Sequence, residues 1–425
     1  GIAIAREFAY PLMKTLGTFS EKKPDESLEI MELLLDISGI MIRDKGGTFI
    51  GARMGRPEAA RPRKMIGNPN VLFPIGFSGG NTRSINKAME SGQGERMGSV
   101  EVELALRKCG SCARIVGGAF CHTCRKRTEI ILLCQKCGRT SETEKCSHCG
   151  NEAVSFNNLK DNVRELVMNS LLEMKVKMPE IVKGVKGLMN TNKIAEPIEK
   201  GILRANHDLH IFRDGTIRYE LLNAPLTHFR PREIGTSVEK IRELGYEKDV
   251  EGKELENEEQ LLELRPQDII VHEGAIAFLY DVTKFIDEEM ERFYGVEPFF
   301  RKSSKDEIIG EFVLGLAPHT SAAIVGRIIG FTKARVCFAH PFYHLCKRRN
   351  ADGDQDSVML LMDALLNFSH SYLPGSRGGR MDAPLVFTIV MNPNEIDDEA
   401  HEIETCAKYP IELYEESQNF SNPNL

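Results

Sequence analysis

Along the chain the apolar and polar positions change their period several times, and each change marks a predicted element. Residues 1–37 carry two helical stretches split by the polar run Ser20–Ser27. The second, LEIMELLLDI, combines strong helix formers with apolar residues at helical spacing. From Ile40, short apolar runs alternate with Gly and Pro, as in Thr48–Arg53 and Val71–Gly76, and predict short strands and loops. Leu159–Met189 predicts mostly helix, and LHIFRDGTIRYE (Leu209–Glu220) a hairpin turning at Asp214-Gly215. Glu247–Arg265 predicts a solvated, helical acidic surface. Asp268–Asp281 predicts a strand and Thr283–Tyr294 a helix. Between Pro318 and Met391 the segments AAIVGRIIGFT, ARVCFAHPF and APLVFTIVM predict strands separated by loops.

Composition adds bounds. The chain has 425 residues, 41% of them hydrophobic, which suits two to four domains at roughly 100–200 residues each. No apolar run reaches the roughly 18 residues of a membrane span, and no signal peptide opens the chain, so the cytoplasm is the expected location. The chain lacks a starting Met, opens mid-pattern and stops in the polar tail SQNFSNPNL, so a piece of something longer is expected. Net charge is −7, but it is uneven. Gly51–Met65 carries Arg53, Arg56, Arg61, Arg63 and Lys64 against Glu58 alone, and a local basic cluster is what contacts phosphates.

Eight of the 11 cysteines form four C-x-x-C pairs. Cys109, Cys112, Cys121 and Cys124 recur 25 residues later as Cys134, Cys137, Cys146 and Cys149. Two knuckles joined by a short hairpin supply four thiolates in a tetrahedron, which predicts two structural zinc sites with no open position for catalysis. Sequential and cross-braced pairings both remain open. His122 and His148 lie inside knuckles and are expected to face solvent. Arg107, Lys108, Arg114, Arg125, Lys126 and Arg127 line the first unit, either as phosphate contacts or as a soluble surface.

The richest segment is KRRNADGDQD (Lys347–Asp356). Asp352, Asp354 and Asp356 alternate, and in extended backbone that spacing turns three carboxylates to one side. Such packing is costly without a cation, and all-oxygen ligation selects Mg²⁺ or Ca²⁺. An EF-hand would put Asp363 at its last ligand position, but Ser357 stands where a sharp glycine turn belongs. The apolar helix VMLLMDALLNF follows directly. A solvated acidic turn has no reason to sit between apolar elements and straight after Lys347, Arg348 and Arg349. The third reading is phosphoryl or nucleotidyl transfer, with magnesium on the carboxylates and those basic residues on phosphates.

At this point NADGDQD (Asn350–Asp356) resembles the NADFDGD signature that holds the catalytic magnesium of multisubunit RNA polymerases. The wider text resembles the large subunit of archaeal family D DNA polymerase, also called DNA polymerase II. The similarity runs through GARMGRPEAARPRKM, VLFPIGFSGGNTRSI, the paired knuckles and FAHPFYHLCKRRNADGDQDSVMLLMDALLNFSHSYLPGSRGGRMDAPLV. It covers nearly the whole chain. The resemblance implies a mixed α+β fold of two double-psi β-barrels, RNA-polymerase-like, with inserted zinc-ribbon units and peripheral helices. In that layout 1–37 is helical, 38–106 with 151–235 forms the first barrel region, and 107–150 is the zinc module. Residues 236–304 connect, 305–400 form the second barrel, and 401–425 begin a C-terminal region.

The resemblance further implies magnesium on Asp352 and Asp354, with Asp356 assisting and Asn350 orienting the motif. Arg61 and Lys64, and more loosely Arg53, Arg56 and Arg63, would meet primer or nucleotide. Two departures matter. Gln355 replaces a usual Glu at the position least suited to metal, and the family often has Lys where Ala59 and Arg61 stand, so Arg61 is the weaker match. The implied partners are primer-template DNA, dNTPs, a small subunit carrying a 3′–5′ exonuclease, and a sliding clamp reached through other regions. The setting would be an archaeal cytoplasm, at the nucleoid. The basic glycine-rich loop Pro374–Arg380, with Arg377 and Arg380, and Ser78–Arg83 are each either DNA contacts or plain turns. The rival readings are an RNA polymerase of the same barrel class and a non-catalytic zinc module for DNA binding or assembly.

Overall fold

The computed structural model describes Glu32 and residues 65–118, 121, 124, 126–318, 323–347, 353–376, 379–380, 383–385 and 408–422. Apart from Glu32, the expected N-terminal helices lie outside the described residues, as do the basic cluster Arg53–Lys64, His122, Arg125, Arg348, Arg349, Asn350, Asp352, Arg377 and all of APLVFTIVM past its third residue.

The fold is mixed α and β. The chain enters through the short helix α1 (Ile85–Glu90), whose Ser84 side chain accepts from the Lys87 N–H. Strand β1 (Ser99–Ala105) follows, and the zinc-type module supplies β2 (Arg107–Cys109), β3 (Ile115–Val116), β4 (Thr128–Ile130), β5 (Leu132–Cys134), β6 (Thr140–Ser141) and β7 (Ala153–Val154). Strand β8 (Phe156–Asn162) returns antiparallel to β1, so the module is an insertion at the tip of a two-stranded ribbon. Helices α2 (Val163–Met174) and α3 (Ile198–Asn206) come next, then β9 (Tyr219–Pro225), β10 (His228–Phe229), α4 (Val238–Glu243) and β11 (Leu262–Glu263). The last third holds β12 (Asp268–His272), α5 (Glu273–Glu288), β13 (Phe312–Gly315), β14 (Ile324–Thr332) and β15 (Val336–Ala339). It ends with α6 (Pro341–Cys346), β16 (Gln355–Leu360), α7 (Leu361–Asn367) and α8 (Ile411–Gln418).

Six strands close a barrel in the order β12-β14-β13-β16-β9-β15. The β12–β14 and β15–β9 pairs are parallel and the others antiparallel. Strand β14 (IVGRIIGFT) is a nearly continuous apolar run because both its faces are covered. The barrel therefore takes β9 and β12 from stretches expected to belong to the first barrel region and the connector. Among the described residues it is the one closed barrel.

Several local expectations change. Phe212–Thr216 does turn at Asp214-Gly215, with the Phe212 N–H 2.8 Å from the Thr216 carbonyl, but no hairpin strands flank it. Asp214 is buried and binds Thr216 and Arg218 instead, and the next strand pairs with β15 and β16. The expected strand Asp268–Asp281 stops at His272, whose Nδ1 accepts from the Gly274 N–H and starts α5. Ala275, Ile276, Leu279, Val282, Phe285 and Ile286 are its buried stripe, a helical spacing hidden inside the run AIAFLY. The expected helix at Thr283–Tyr294 is the end of α5 and a π turn over Glu289–Tyr294. Leu159–Met189 is helical only from Val163 to Met174. Residues 247–265 contain no helix; their carboxylates are mostly exposed, while Leu255, Leu262 and Leu264 pack with Phe229 and Ile241 in a small core. Here three leucines override the charge pattern. AAIVGRIIGFT and the VCFA part of ARVCFAHPF do form the strands expected of them, while the helix expected over VMLLMDALLNF begins only at Leu361, because Val358–Leu360 pair with β13 at the end of β16.

One close approach governs the barrel interior. The Tyr343 side chain is fully buried and donates its hydroxyl to the Ile324 carbonyl at 3.1 Å. A Cβ added at Gly315 would lie 2.4 Å from that hydroxyl oxygen. Gly315→Ala is therefore expected to cost about 1–3 kcal/mol by overpacking, read as a lower midpoint in urea unfolding. An unchanged midpoint would show that Tyr343 has room to move.

Candidate metal and catalytic sites

Each zinc-type unit assembles from sequence neighbours. In the first, the Cys109 N–H bonds the Arg114 carbonyl at 3.0 Å and the Ala113 N–H bonds the Cys109 carbonyl at 3.0 Å. The second repeats this around Cys134 (Arg139 and Gly138, 2.9 and 3.0 Å) and Cys146 (Asn151 and Gly150, 2.8 and 2.8 Å). These turns bring Cys109, Cys112, Cys121 and Cys124 together, and separately Cys134, Cys137, Cys146 and Cys149, with ligand atoms within 4.8 Å of one another. The pairing is sequential, which closes the question the spacing left open. Sulfur–sulfur distances of 3.2–3.8 Å in the first set and 3.4–3.7 Å in the second suit a tetrahedral ion with metal–sulfur bonds near 2.3 Å. Backbone N–H groups, Cys112 first, hold the Cys109 thiol down to about 6, and those of Asn151 do the same for Cys149, also to about 6. A thiolate is thus favoured at Cys109 and at Cys149 before any ion arrives, while the hydrogen bond to Cys109 pushes Cys124 up to about 12 and burial pushes Cys137 up to about 11. His148 is exposed, as a non-ligand should be. Two zinc equivalents per chain are expected by metal analysis, and Cys134→Ser should remove one of them; retention of both would mean that Cys134 is not a ligand.

The aspartate segment sits between α6 and β16. His340 caps α6 by accepting from the Phe342 N–H at 3.1 Å, and Pro341 occupies the first helical position. His344 donates Nε2–H to the Ala224 carbonyl of β9 at 2.9 Å, and burial pushes its pKa well below the usual value. It is a neutral structural imidazole. Lys347, just past α6, is fully buried: its ammonium pairs with Asp356 and lies 4.8 Å from the centre of the Tyr343 ring. The Asp356 carboxylate is fully buried too, and its Oδ1 accepts from the Ser357 N–H at 2.9 Å.

This placement separates Asp356 from Asp354. Asp356, the second residue of β16, stands opposite Leu221 with its side chain inside the barrel. Gly353, at φ +98°, turns the chain through the left-handed region, so the alternation expected of extended backbone does not run through the motif. Asp354 stands partly exposed just outside the strand. Its backbone is held by Asn223 of β9, whose N–H donates to the Asp354 carbonyl at 2.9 Å while its side-chain oxygen accepts from the Gly353 N–H at 3.1 Å. Gln355 points outward and donates to Glu220 at 2.9 Å, consistent with a position that needs no carboxylate.

Sequence reasoning missed Asn223. It lies 130 residues from Gly353, and its one signal is a buried amide in the middle of the strand YELLNAP. Lys347, expected at phosphates, is enclosed instead. Arg380 is exposed at the end of the glycine-rich loop, and the Asn190–Pro374 backbone bridge ties the start of that loop to the 183–193 segment.

Behind the site, α7 is anchored by buried ions. Asp363 accepts from the Ile217 N–H at 2.7 Å, and Asn367 donates to Glu289 at 2.9 Å. Glu289 pairs with Lys200 at 2.9 Å, and Arg204 with Glu196 at 2.8 Å. Burial pushes the Asp363 carboxyl up to about 7. The network locks the helix that follows β16 to α3 and to the π turn after α5.

Among the described residues no helix is long and apolar enough to cross a membrane. The family model for the DNA polymerase II large subunit DP2 catalytic domain matches residues 175–425, and that for the central domain of the same subunit matches residues 2–143. The chain is 45% identical over 398 residues to the DNA polymerase II large subunit of Archaeoglobus fulgidus, covering 93% of this chain and 35% of the relative. To that of Pyrococcus furiosus it is 46% identical over 420 residues, covering 97% of this chain and 33% of the relative. It thus spans about a third of the length of these curated relatives. With the catalytic-domain model covering more than half of its length, the chain belongs to the family of DNA polymerase II large subunits.

Proposed function

We propose that this chain carries the catalytic centre of a replicative DNA-directed DNA polymerase. A primer 3′-hydroxyl attacks the α-phosphate of a dNTP, and pyrophosphate leaves. The observation that carries the reading is the clamped Gly353–Asp354 turn, a carboxylate presented on rigid backbone within a motif shared with nucleotidyl transferases. The donor set is hard oxygen, which fits magnesium. Asp352 and Asp354 would hold the ion, which would neutralise phosphate charge and ease deprotonation of the primer hydroxyl.

The chain's own residues position that chemistry. Asn223 fixes the turn from below. Asp356 is assigned here as a positioning residue: with Lys347 it pins both ends of the loop inside the barrel. The arginines Arg348 and Arg349, with Arg53, Arg56, Arg61, Arg63 and Lys64, are assigned to phosphates of primer or nucleotide. The barrel is read as double-psi, and the two tetracysteine units as structural zinc. The words "large subunit" in the relatives' names support a smaller partner, to which the 3′–5′ exonuclease is assigned. Primer extension with dNTPs, and not with NTPs, by the full large subunit and its partner tests the reading. Preference for NTPs would favour an RNA polymerase of the same barrel class.

A further inference from the structure

The segment from Lys175 to Lys193 holds Lys175, Lys177, Lys183, Lys186 and Lys193 against the single acid Glu180, in a chain whose net charge is −7. It is laid against residues 74–84. The Ile75 and Gly76 N–H groups donate to the Val185 and Lys186 carbonyls at 2.9 and 3.1 Å, and the Gly184 N–H donates to the Arg83 carbonyl at 3.0 Å. This backbone seam presents Phe77 at 80% exposure. The Lys186 ammonium lies 4.1 Å from the centre of its ring. On the same seam, one N–H of the partly exposed Arg83 guanidinium donates to the Ile66 carbonyl at 2.6 Å, and the group has further N–H donors to offer.

A lone exposed apolar residue needs no explanation. Phe77 differs in being held on well-bonded backbone, with the Lys186 cation over one face and with Arg83 and Lys183 on the same paired backbone seam. Nothing lies within 4 Å of a Cβ placed at Gly80 or at Gly187, so the backbone next to Lys186 and three residues past Phe77 is open to an approaching phosphate. An exposed aromatic ring with a cation at one face, on a basic backbone seam, matches the chemistry of an unpaired base and its phosphates. Duplex offers no open base face to it. The Asn190–Pro374 bridge continues the basic strip toward the glycine-rich loop that ends at Arg380.

We infer that Phe77, Lys186, Lys183 and Arg83 form a contact for single-stranded nucleic acid, with a base stacked on the open face of Phe77 and phosphates on the three cations. The proposal deepens the polymerase reading, which identifies the strand as unpaired template. The stacking chemistry stands without that identification.

The test is fluorescence anisotropy of labelled oligothymidylate with the full-length large subunit, over a range of salt. Stacking is worth about 1–3 kcal/mol per base, so Phe77→Ala should weaken binding roughly 5-fold to 150-fold, while Phe77→Trp should bind as the unsubstituted protein does. Lys186→Gln should reduce the salt slope by roughly 0.7, one phosphate contact on a single strand. Blunt duplex should bind Phe77→Ala within twofold. The inference is overturned by a Phe77→Ala protein that binds oligothymidylate normally, by equal loss in the Ala and Trp variants, or by equal loss on duplex. Primer extension separates the two readings. Binding that depends on Phe77 in a protein unable to extend primers sinks only the polymerase assignment. Full extension with Phe77-indifferent binding sinks only this contact.

Discussion

Asp354→Ala in the full large subunit, assembled with its partner, lowers primer extension by about three orders of magnitude while leaving the fold intact. Carboxylate-held metal supplies several kcal/mol of transition-state stabilisation, and each 1.36 kcal/mol is a factor of about ten in rate. Asp354 is partly exposed, and its backbone bonds to Asn223 survive truncation of its side chain. Unfolding midpoint and zinc content should therefore match the unsubstituted protein. Asp352→Ala is expected to behave alike. Extension within tenfold of normal in both variants would remove the catalytic reading and leave a zinc-containing DNA-binding or assembly module. Asn223→Ala gives a smaller loss, since it loosens the turn without removing a carboxylate.

The second large effect is on stability. Lys347→Met leaves the Asp356 carboxylate buried in the barrel without its cation. Breaking a buried ion pair from one side costs about 3–5 kcal/mol, a large share of the roughly 5–15 kcal/mol that holds a domain folded. Replacing both partners, Lys347→Met with Asp356→Leu, removes the uncompensated charge and should recover most of that loss in chemical denaturation. The double variant also decides what Asp356 does. A positioning role predicts that extension returns to within about tenfold of normal once the loop is anchored by apolar packing. A stable double variant with no extension would make Asp356 a metal ligand after all.

These two experiments fall on residues that look equivalent in the sequence. Asp352, Asp354 and Asp356 alternate, so local spacing offers no way to rank them. The ranking comes from Gly353, whose left-handed turn breaks the alternation, and from Lys347, which closes on Asp356 from the other end of the loop. The same limit shows at α5. The run AIAFLY is compatible with strand or helix, and the His272 cap with the packing stripe from Ala275 to Ile286 resolves it.

By itself the sequence determined the parts whose partners are near neighbours. The repeated knuckles specify all eight thiolates because each four-sulfur set spans 16 residues, and the strands around 324–339 are legible from their β-branched runs. The tertiary structure decided everything that depends on distant pairing. It chose sequential over cross-braced cysteine sets, and it completed the barrel with β9 and β12. It also set Asn223 beneath the aspartate turn and turned Asp356 inward. The reason is the period of the strand. Spacing says which side chains share a face, but only the neighbouring strands say which face is inside.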